Sequence, residues 1–230
     1  MSSRPDLRRR AAAEALGVFA LVFAGCGAIV AEAEHPGTLG AVGIALVFGL
    51  IVMAMVYATG HLSGAHLNPA VTLAFALTRH FPRAEAAAYL VAQVLGAIAA
   101  AALLAAVWAG DPAALGTTVP SVGGGSAFVY EVVLTAFLMF VIMAVATDTR
   151  AIGAAAAIAI GGTVGLDALF GGPVTGASMN PARSLGPALV SGELGSLWIY
   201  LTAPLLGAAL GALAYQLVRG EHPDAAREAA

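Results

Sequence analysis

Two stretches share the triplet Asn-Pro-Ala: HLNPAVT at His66–Thr72 and SMNPARS at Ser178–Ser184. The surrounding chain is 60% hydrophobic, so a repeated polar triplet needs a reason. Asparagine is a favoured helix N-cap, and proline is favoured at the first helical position. Each triplet therefore predicts the start of a short apolar helix, capped by Asn68 in the first copy and by Asn180 in the second.

The composition indicates a membrane protein. Of the 230 residues only 10% are charged, whereas soluble domains carry about 25%. So much apolar surface is stable when lipid is the solvent, and we expect one membrane domain over residues 1–230. The net charge is −3 and the sequence has no basic patch, so the expected partner is the lipid bilayer and not nucleic acid. The single cysteine, Cys26, excludes a disulfide framework within the chain.

Six apolar stretches approach the roughly 20 residues that a helix needs to cross a bilayer. The helices predicted from Pro69 to about Leu77 and from Pro181 to about Leu189 are too short to cross. We expect each to be a re-entrant half-helix that ends near the middle of the membrane. The predicted spans are Ala11–Ala31, Gly40–Ala58, Ala84–Trp108, Ala127–Ala146, Ala151–Phe170 and Leu197–Val218.

The arginines predict the orientation. With both termini in the cytoplasm, nine of the ten arginines lie on the cytoplasmic side, as the positive-inside rule requires. The exception is Arg183, which follows the second triplet and is therefore expected to have a functional role. We expect a multi-pass protein of the cell membrane, plasma or inner.

The chain is predicted to be an internal repeat. Residues 11–108 and 127–218 each contain three spans and one triplet, joined by an extracellular loop at 109–126. The first span of each half carries an early carboxylate, Glu14 or Glu131. Because three is an odd number, the second half must cross the membrane upside down. The two half-helices would then meet N-terminus to N-terminus.

The predicted meeting point favours neutral solutes. Each helix N-terminus carries about half a positive charge, and each presents an asparagine amide. Such a site can hydrogen-bond a neutral molecule and repels cations and protons. The pattern therefore predicts a passive channel.

The motifs SGAHLNPAVT and GASMNPARS, with the inverted repeat, resemble those of the aquaporin or major intrinsic protein family. The longer stretch GPVTGASMNPARSLGPALV (Gly172–Val190) looks like the nodulin-type intrinsic proteins and their bacterial relatives. The resemblance implies an all-α fold of six transmembrane helices and two half-helices in an inverted 3+3 repeat. It also implies a homotetramer, water and small neutral solutes as permeants, and no cofactor.

The family's selectivity filter, transferred by spacing from the two asparagines, falls on Phe48, Ala168, Ala177 and Arg183. Water-selective members usually have histidine at the position of Ala168, so the resemblance implies a wider and less polar aperture. The resemblance to the nodulin-type branch implies passage of glycerol, urea and uncharged metalloid acids such as boric or arsenous acid. Asp167 replaces an expected asparagine, either to hydrate the rim or to recruit solute.

The remaining predicted site residues fall into four groups. The carboxylates of Glu14 and Glu131 are expected to support the re-entrant loops, with a proton relay as the alternative. His61 and His66 are expected to pack within a loop rather than bind a metal, and no metal site is predicted. The pore asparagine motifs are Asn68, Pro69, Ala70, Asn180, Pro181 and Ala182, and the pore carbonyls are those of Gly64, Ala65, His66, Gly176, Ala177 and Ser178.

Three alternatives compete with this interpretation. A strictly water-selective channel is the nearest. A secondary transporter would also have an inverted repeat, but it needs titratable or ion-binding groups at the centre, where we expect amides, alanines and one arginine. A membrane enzyme would need a nucleophile–base pair or a metal cluster, and the sequence offers neither.

Overall fold

The computed structural model describes residues 5–108, 110, 112–148 and 155–220. Within these residues the chain forms eight α-helices, one 3-10 segment at Pro112–Gly116 and no strand. Arg4, Arg150 and Arg227, used above to predict the orientation, lie outside them, as do the start of the fifth predicted span and part of the 109–126 loop. The helices are α1 (Leu7–Glu34), α2 (Gly40–Ser63), α3 (Pro69–Leu77), α4 (Arg83–Val107), α5 (Gly124–Thr147), α6 (Ala156–Thr175), α7 (Pro181–Ser191) and α8 (Leu197–Val218).

Six of these helices are long and apolar enough to cross a membrane, as predicted: α1, α2, α4, α5, α6 and α8. Their ends differ from the prediction in two informative places. Helix α5 begins at Gly124, inside the predicted 109–126 loop. Helix α6 continues through Pro173 to Thr175 and ends at Gly176, whose φ of +84° is a left-handed conformation that glycine adopts without strain. The Gly-Gly-Pro sequence at 171–173 therefore does not break the helix, and the predicted end at Phe170 is wrong.

The two half-helices begin where the triplets predict. Asn68 caps α3 by accepting a hydrogen bond from the Ala70 backbone N–H, and Asn180 caps α7 by accepting from the Ala182 N–H. The helices contain 9 and 11 residues. At 1.5 Å per residue they reach only about half of the roughly 30 Å hydrocarbon thickness.

Glycines allow the long helices to pack closely and in the same way in both halves. In the first half α1 packs on α2 and α4, and in the second half α5 packs on α6 and α8. A Cβ on Gly96 of α4 would overlap the Ala15 carbonyl of α1, and a Cβ on Gly207 of α8 would overlap the Val132 carbonyl of α5. Contacts of α2 with α6 and of α4 with α7 join the halves.

The burial pattern is that of a protein dissolved in lipid. Large apolar side chains such as Leu16, Leu46 and Phe137 are more than half exposed on the outside of the bundle. Buried charged and amide side chains, including Glu14 and Glu131, lie within it. Inside the membrane such groups need internal partners, so they indicate where the chain has a specialised interior.

Candidate permeation pathway

The two half-helices meet through their capping asparagines. The side-chain amide of Asn68 donates to the carbonyl of Met179 at 2.8 Å, and that of Asn180 donates to the carbonyl of Leu67 at 2.8 Å. The side-chain oxygens are occupied by the helix N–H groups that they cap. Since a carboxamide has two N–H groups, each asparagine retains one for a molecule at the junction.

A buried carboxylate holds the loop that precedes α3. Glu14 accepts four hydrogen bonds between 2.7 and 2.9 Å, from Ser63 Oγ, His66 N, Leu67 N and Gln93 Nε2. Its side chain has no solvent exposure. The carboxylate therefore satisfies two loop N–H groups that have no helical partner at this depth.

The second half repeats this arrangement. Glu131, also fully buried, accepts hydrogen bonds from Thr175 Oγ1 at 2.7 Å and from the N–H groups of Ser178 and Met179 at 2.8 Å. The bonds are made by the same loop positions relative to Asn180 as in the first half.

The carboxylates stabilise an unusual backbone. Ala65 and Leu67 in the first loop, and Ala177 and Met179 in the second, all have φ between +40° and +53°. Left-handed conformations cost non-glycine residues roughly 1–2 kcal/mol each. The bonds to Glu14 and Glu131 offset this cost and fix both loops in the same conformation.

A cavity of about 70 Å³ runs past these loops. All four positions of the transferred filter line it: Phe48, Ala168, Ala177 and Arg183. The two capping asparagines line it as well, and most of the remaining lining is aliphatic. Of the six predicted pore carbonyl residues, Gly64, Ala65, His66, Ala177 and Ser178 line the cavity and Gly176 does not; Pro69, Ala70, Pro181 and Ala182 also lie outside the lining.

Arg183 is the most polar group in this lining. It is 2% exposed, and its Cζ lies 5.0 Å from the centre of the Phe48 ring. Its Nη1 donates to the carbonyl of Gly116 at 2.8 Å. Its Nε and Nη2 have no hydrogen-bond partner among the described residues. A buried guanidinium with free donors can bind a solute that supplies oxygen acceptors.

Asp167 is buried and does not lie at a hydrated rim, as one of its two predicted roles requires. Its side chain is 1% exposed, so it is not a hydrated rim residue, and it is not part of the cavity lining that contains its neighbour Ala168. On a helix, adjacent residues face different directions, so Asp167 and Ala168 lie on different sides of α6. Its Oδ2 has no hydrogen-bond partner within the described chain.

The two predicted histidines lie in different places. His61 belongs to the last turn of α2 and is exposed, so the prediction that it packs within a loop is wrong. The His66 ring contacts the rings of Phe75, Phe81 and Tyr89 at 4.8–5.1 Å, and its Nδ1 lies 3.1 Å from Thr72 Oγ1. In the part of the chain that the structure describes, no group of three or more His, Cys, Asp or Glu side chains converges on a metal position.

Two contributors were missed from the sequence. Gln93, which supports Glu14, was visible as an amide in the otherwise apolar stretch AAAYLVAQVLGAIA, because such a side chain within a span needs a partner. Gly116 acts through its backbone carbonyl. Every residue has that group, so no sequence pattern could indicate it.

Comparisons with known proteins agree with this geometry. A family model described as "Major intrinsic protein" matches residues 1–215. Nodulin-26 of Glycine max is 52% identical over 207 residues, covering 90% of this chain and 76% of that protein. Aquaporin NIP1-4 of Oryza sativa subsp. japonica is 53% identical over 214 residues, covering 92% and 78%.

The X-ray structure of the aquaglyceroporin from Plasmodium falciparum is 27% identical to this chain, with a TM-score of 0.86 over 93% of this chain and 97% of that one. This likeness confirms the predicted fold class of six spanning helices and two half-helices in an inverted 3+3 repeat. Aquaporins are channels and not enzymes. The chain belongs to the major intrinsic protein family and is a multi-pass transmembrane channel.

Proposed function

We propose that this channel passes water and small uncharged solutes, such as glycerol, urea and boric or arsenous acid, and excludes ions and protons. The observation that carries the proposal is the set of four side chains around the cavity: Phe48, Ala168, Ala177 and Arg183. We assign these residues as the selectivity filter.

The chemistry of this filter suits solutes with one polar and one apolar side. The two unpartnered donors of Arg183 can bind solute hydroxyl groups. The Phe48 ring offers an aromatic face to the carbon side of the same molecule. Ala168 and Ala177 contribute only methyl groups, so they take little of the cross-section. A histidine at position 168 would fill that space and add a hydrogen-bonding group.

Charge exclusion follows from the centre of the pathway. Two helix N-termini and one arginine place positive potential along it. The asparagine amides donate hydrogen bonds to a passing water, which interrupts a continuous proton wire. Neutral solutes do not experience the electrostatic barrier.

The name of one similar protein supports a polyol-conducting channel. The matched solved structure is called an aquaglyceroporin. The relatives include proteins called aquaporins, which supports a water-conducting channel. A strictly water-selective channel is the second candidate.

The test is a swelling and shrinking assay on proteoliposomes with matched amounts of protein. We expect passive, unsaturated flux of water and of at least one polyol or metalloid acid, without ion current. Ala168→His should reduce solute flux strongly and leave water flux intact. A parent channel that passes water and excludes every solute would favour the water-selective candidate, and flux coupled to a proton or sodium gradient would favour a transporter.

We also propose that the protein assembles as a homotetramer in the plasma or inner membrane, with both termini in the cytoplasm. The family supports the assembly, and the arginine distribution supports the orientation. Light scattering of the detergent-solubilised protein would measure the number of subunits. Labelling of cysteines introduced at the termini would report which side they occupy.

A further inference from the structure

Each half of the channel has a hydroxyl four residues after its capping asparagine. In the first half this is Thr72, whose Oγ1 lies 3.1 Å from His66 Nδ1 and accepts a hydrogen bond from Gln93 Nε2 at 3.0 Å. Gln93 belongs to α4. The hydroxyl network of the first half is thus completed by a helix of that same half.

The second half completes its network differently. Ser184 Oγ lies 2.6 Å from Ser178 Oγ and 2.7 Å from Thr118 Oγ1. Where α4 has Gln93 in AQVLGAIA, α8 has Pro204 in the matching stretch APLLGAAL. A proline side chain cannot donate a hydrogen bond. The partner comes instead from Thr118, in the segment that links the two halves.

This linking segment, residues 116–118, contacts two consecutive residues of α7. The carbonyl of Gly116 accepts from Arg183 Nη1 at 2.8 Å, and Thr118 is bonded to Ser184. On its other side the segment packs against α1, since a Cβ on Gly116 would lie 2.8 Å from Cys26 Cβ. The segment is therefore held between α1 and α7, and Thr118 itself is only 4% exposed.

Among the described residues, the Arg183 guanidinium donates to the Gly116 carbonyl through Nη1, whereas its Nε and Nη2 have no partner there. The position of the guanidinium opposite Phe48 then depends on the position of the Gly116 carbonyl. The Thr118–Ser184 bond fixes the distance between this segment and the backbone that carries Arg183.

We propose that Thr118 is a positioning residue for the selectivity filter. Its hydroxyl holds the linking segment on α7, so that Gly116 keeps Arg183 at a fixed distance from Phe48. The inference rests on the proposed function, in which Arg183 and Phe48 form the filter. The hydroxyl acts through Arg183 and does not itself contact the solute.

The test is Thr118→Val, which removes the hydroxyl and keeps the shape of the side chain. We expect the ratio of glycerol to water permeability in proteoliposomes to change by about fivefold, the equivalent of one net hydrogen bond. Proton leak should rise in the same vesicles. Thr118→Ser restores the hydroxyl and should return both quantities towards those of the parent.

Thr117→Val is the matched control. Thr117 belongs to the same linking segment, but its hydroxyl is hydrogen-bonded to the carbonyl of Ala114 and to Ser191 Oγ at the far end of α7. Its removal should leave the permeability ratio and the proton leak unchanged. An unchanged ratio and leak in Thr118→Val, or a Thr118→Ser channel that behaves like Thr118→Val, would overturn the inference.

Arg183→Val separates this inference from the proposal on which it rests. If Arg183→Val leaves the ratio and the leak unchanged, the filter assignment itself fails. If Arg183→Val changes them and Thr118→Val does not, only the role of Thr118 fails. Should Thr118→Val not assemble, Ser184→Ala removes the other hydroxyl of the pair, and the same outcomes apply.

Discussion

Glu14→Gln is expected to destabilise the channel strongly, although the two side chains have nearly the same shape. The carboxylate accepts four hydrogen bonds from four different donors between 2.7 and 2.9 Å. An amide has a single acceptor oxygen, and its NH₂ group would face two of these donors. Two of the four bonds would be lost, and both are buried.

The magnitude follows from these losses. A hydrogen bond to a charged group contributes about 1.5–3 kcal/mol, so two lost bonds cost about 3–6 kcal/mol. For soluble chains of this length that corresponds to a decrease in melting temperature of about 6–24 °C. The loop before α3 would also lose part of what holds Ala65 and Leu67 at positive φ.

The assay is thermal unfolding of the purified protein in detergent, followed by circular dichroism or by loss of the assembled protein. Glu32→Gln is the matched control. Glu32 accepts hydrogen bonds from the N–H groups of Gly37, Leu39 and Gly40 at 2.7–3.0 Å, but at the solvent-facing end of α1. We expect a smaller change there, because water can replace the lost partners. Equal melting temperatures for Glu14→Gln and the parent would refute the reasoning.

Three further outcomes are expected. Arg183→Val removes a positive charge from the pathway. At about 5 Å from a cation and an effective dielectric of about 20, this charge contributes about 3 kcal/mol of repulsion, so cation leak should rise roughly a hundredfold while water flux persists. A variant as ion-tight as the parent would exclude Arg183 from the filter. Gly207→Ala should lower the free energy of unfolding by about 1–3 kcal/mol, because its Cβ would overlap the Val132 carbonyl. Gly162→Ala is the control, because the space around Gly162 is open, and equal thermal unfolding of the two variants would contradict this. Asp167→Asn should leave solute flux unchanged and not lower the melting temperature, since the buried Asp167 Oδ2 has no partner to lose; a large decrease would reveal a partner outside the described residues.

The sequence alone determined the number of spanning helices. Residues buried in lipid must satisfy their backbone internally, so apolar length by itself identified six spanning helices. The caps at Asn68 and Asn180 could be predicted equally well, because N-capping depends on a local contact between a side chain and the backbone. The family resemblance and the composition led to the same architecture.

Helix ends within glycine and proline stretches were harder to predict from the sequence. The predicted fifth span ends at Phe170, yet α6 continues through residues 171–173 to Thr175. At Gly171 a Cβ would lie 2.7 Å from Leu134, so that glycine provides close packing instead of a turn. The same residue type serves both purposes, and only its neighbours distinguish them.

Only the tertiary structure decided which groups complete the pathway. Which way Asp167 points depends on the rotation of α6 against its neighbours, which no local pattern fixes. The Gly116 carbonyl and the Thr118 hydroxyl reach α7 from a linking segment that is distant from it in sequence. A backbone carbonyl is present at every position, and a threonine in a loop is unremarkable. Their importance arises from the long-range packing that brings them to Arg183 and Ser184.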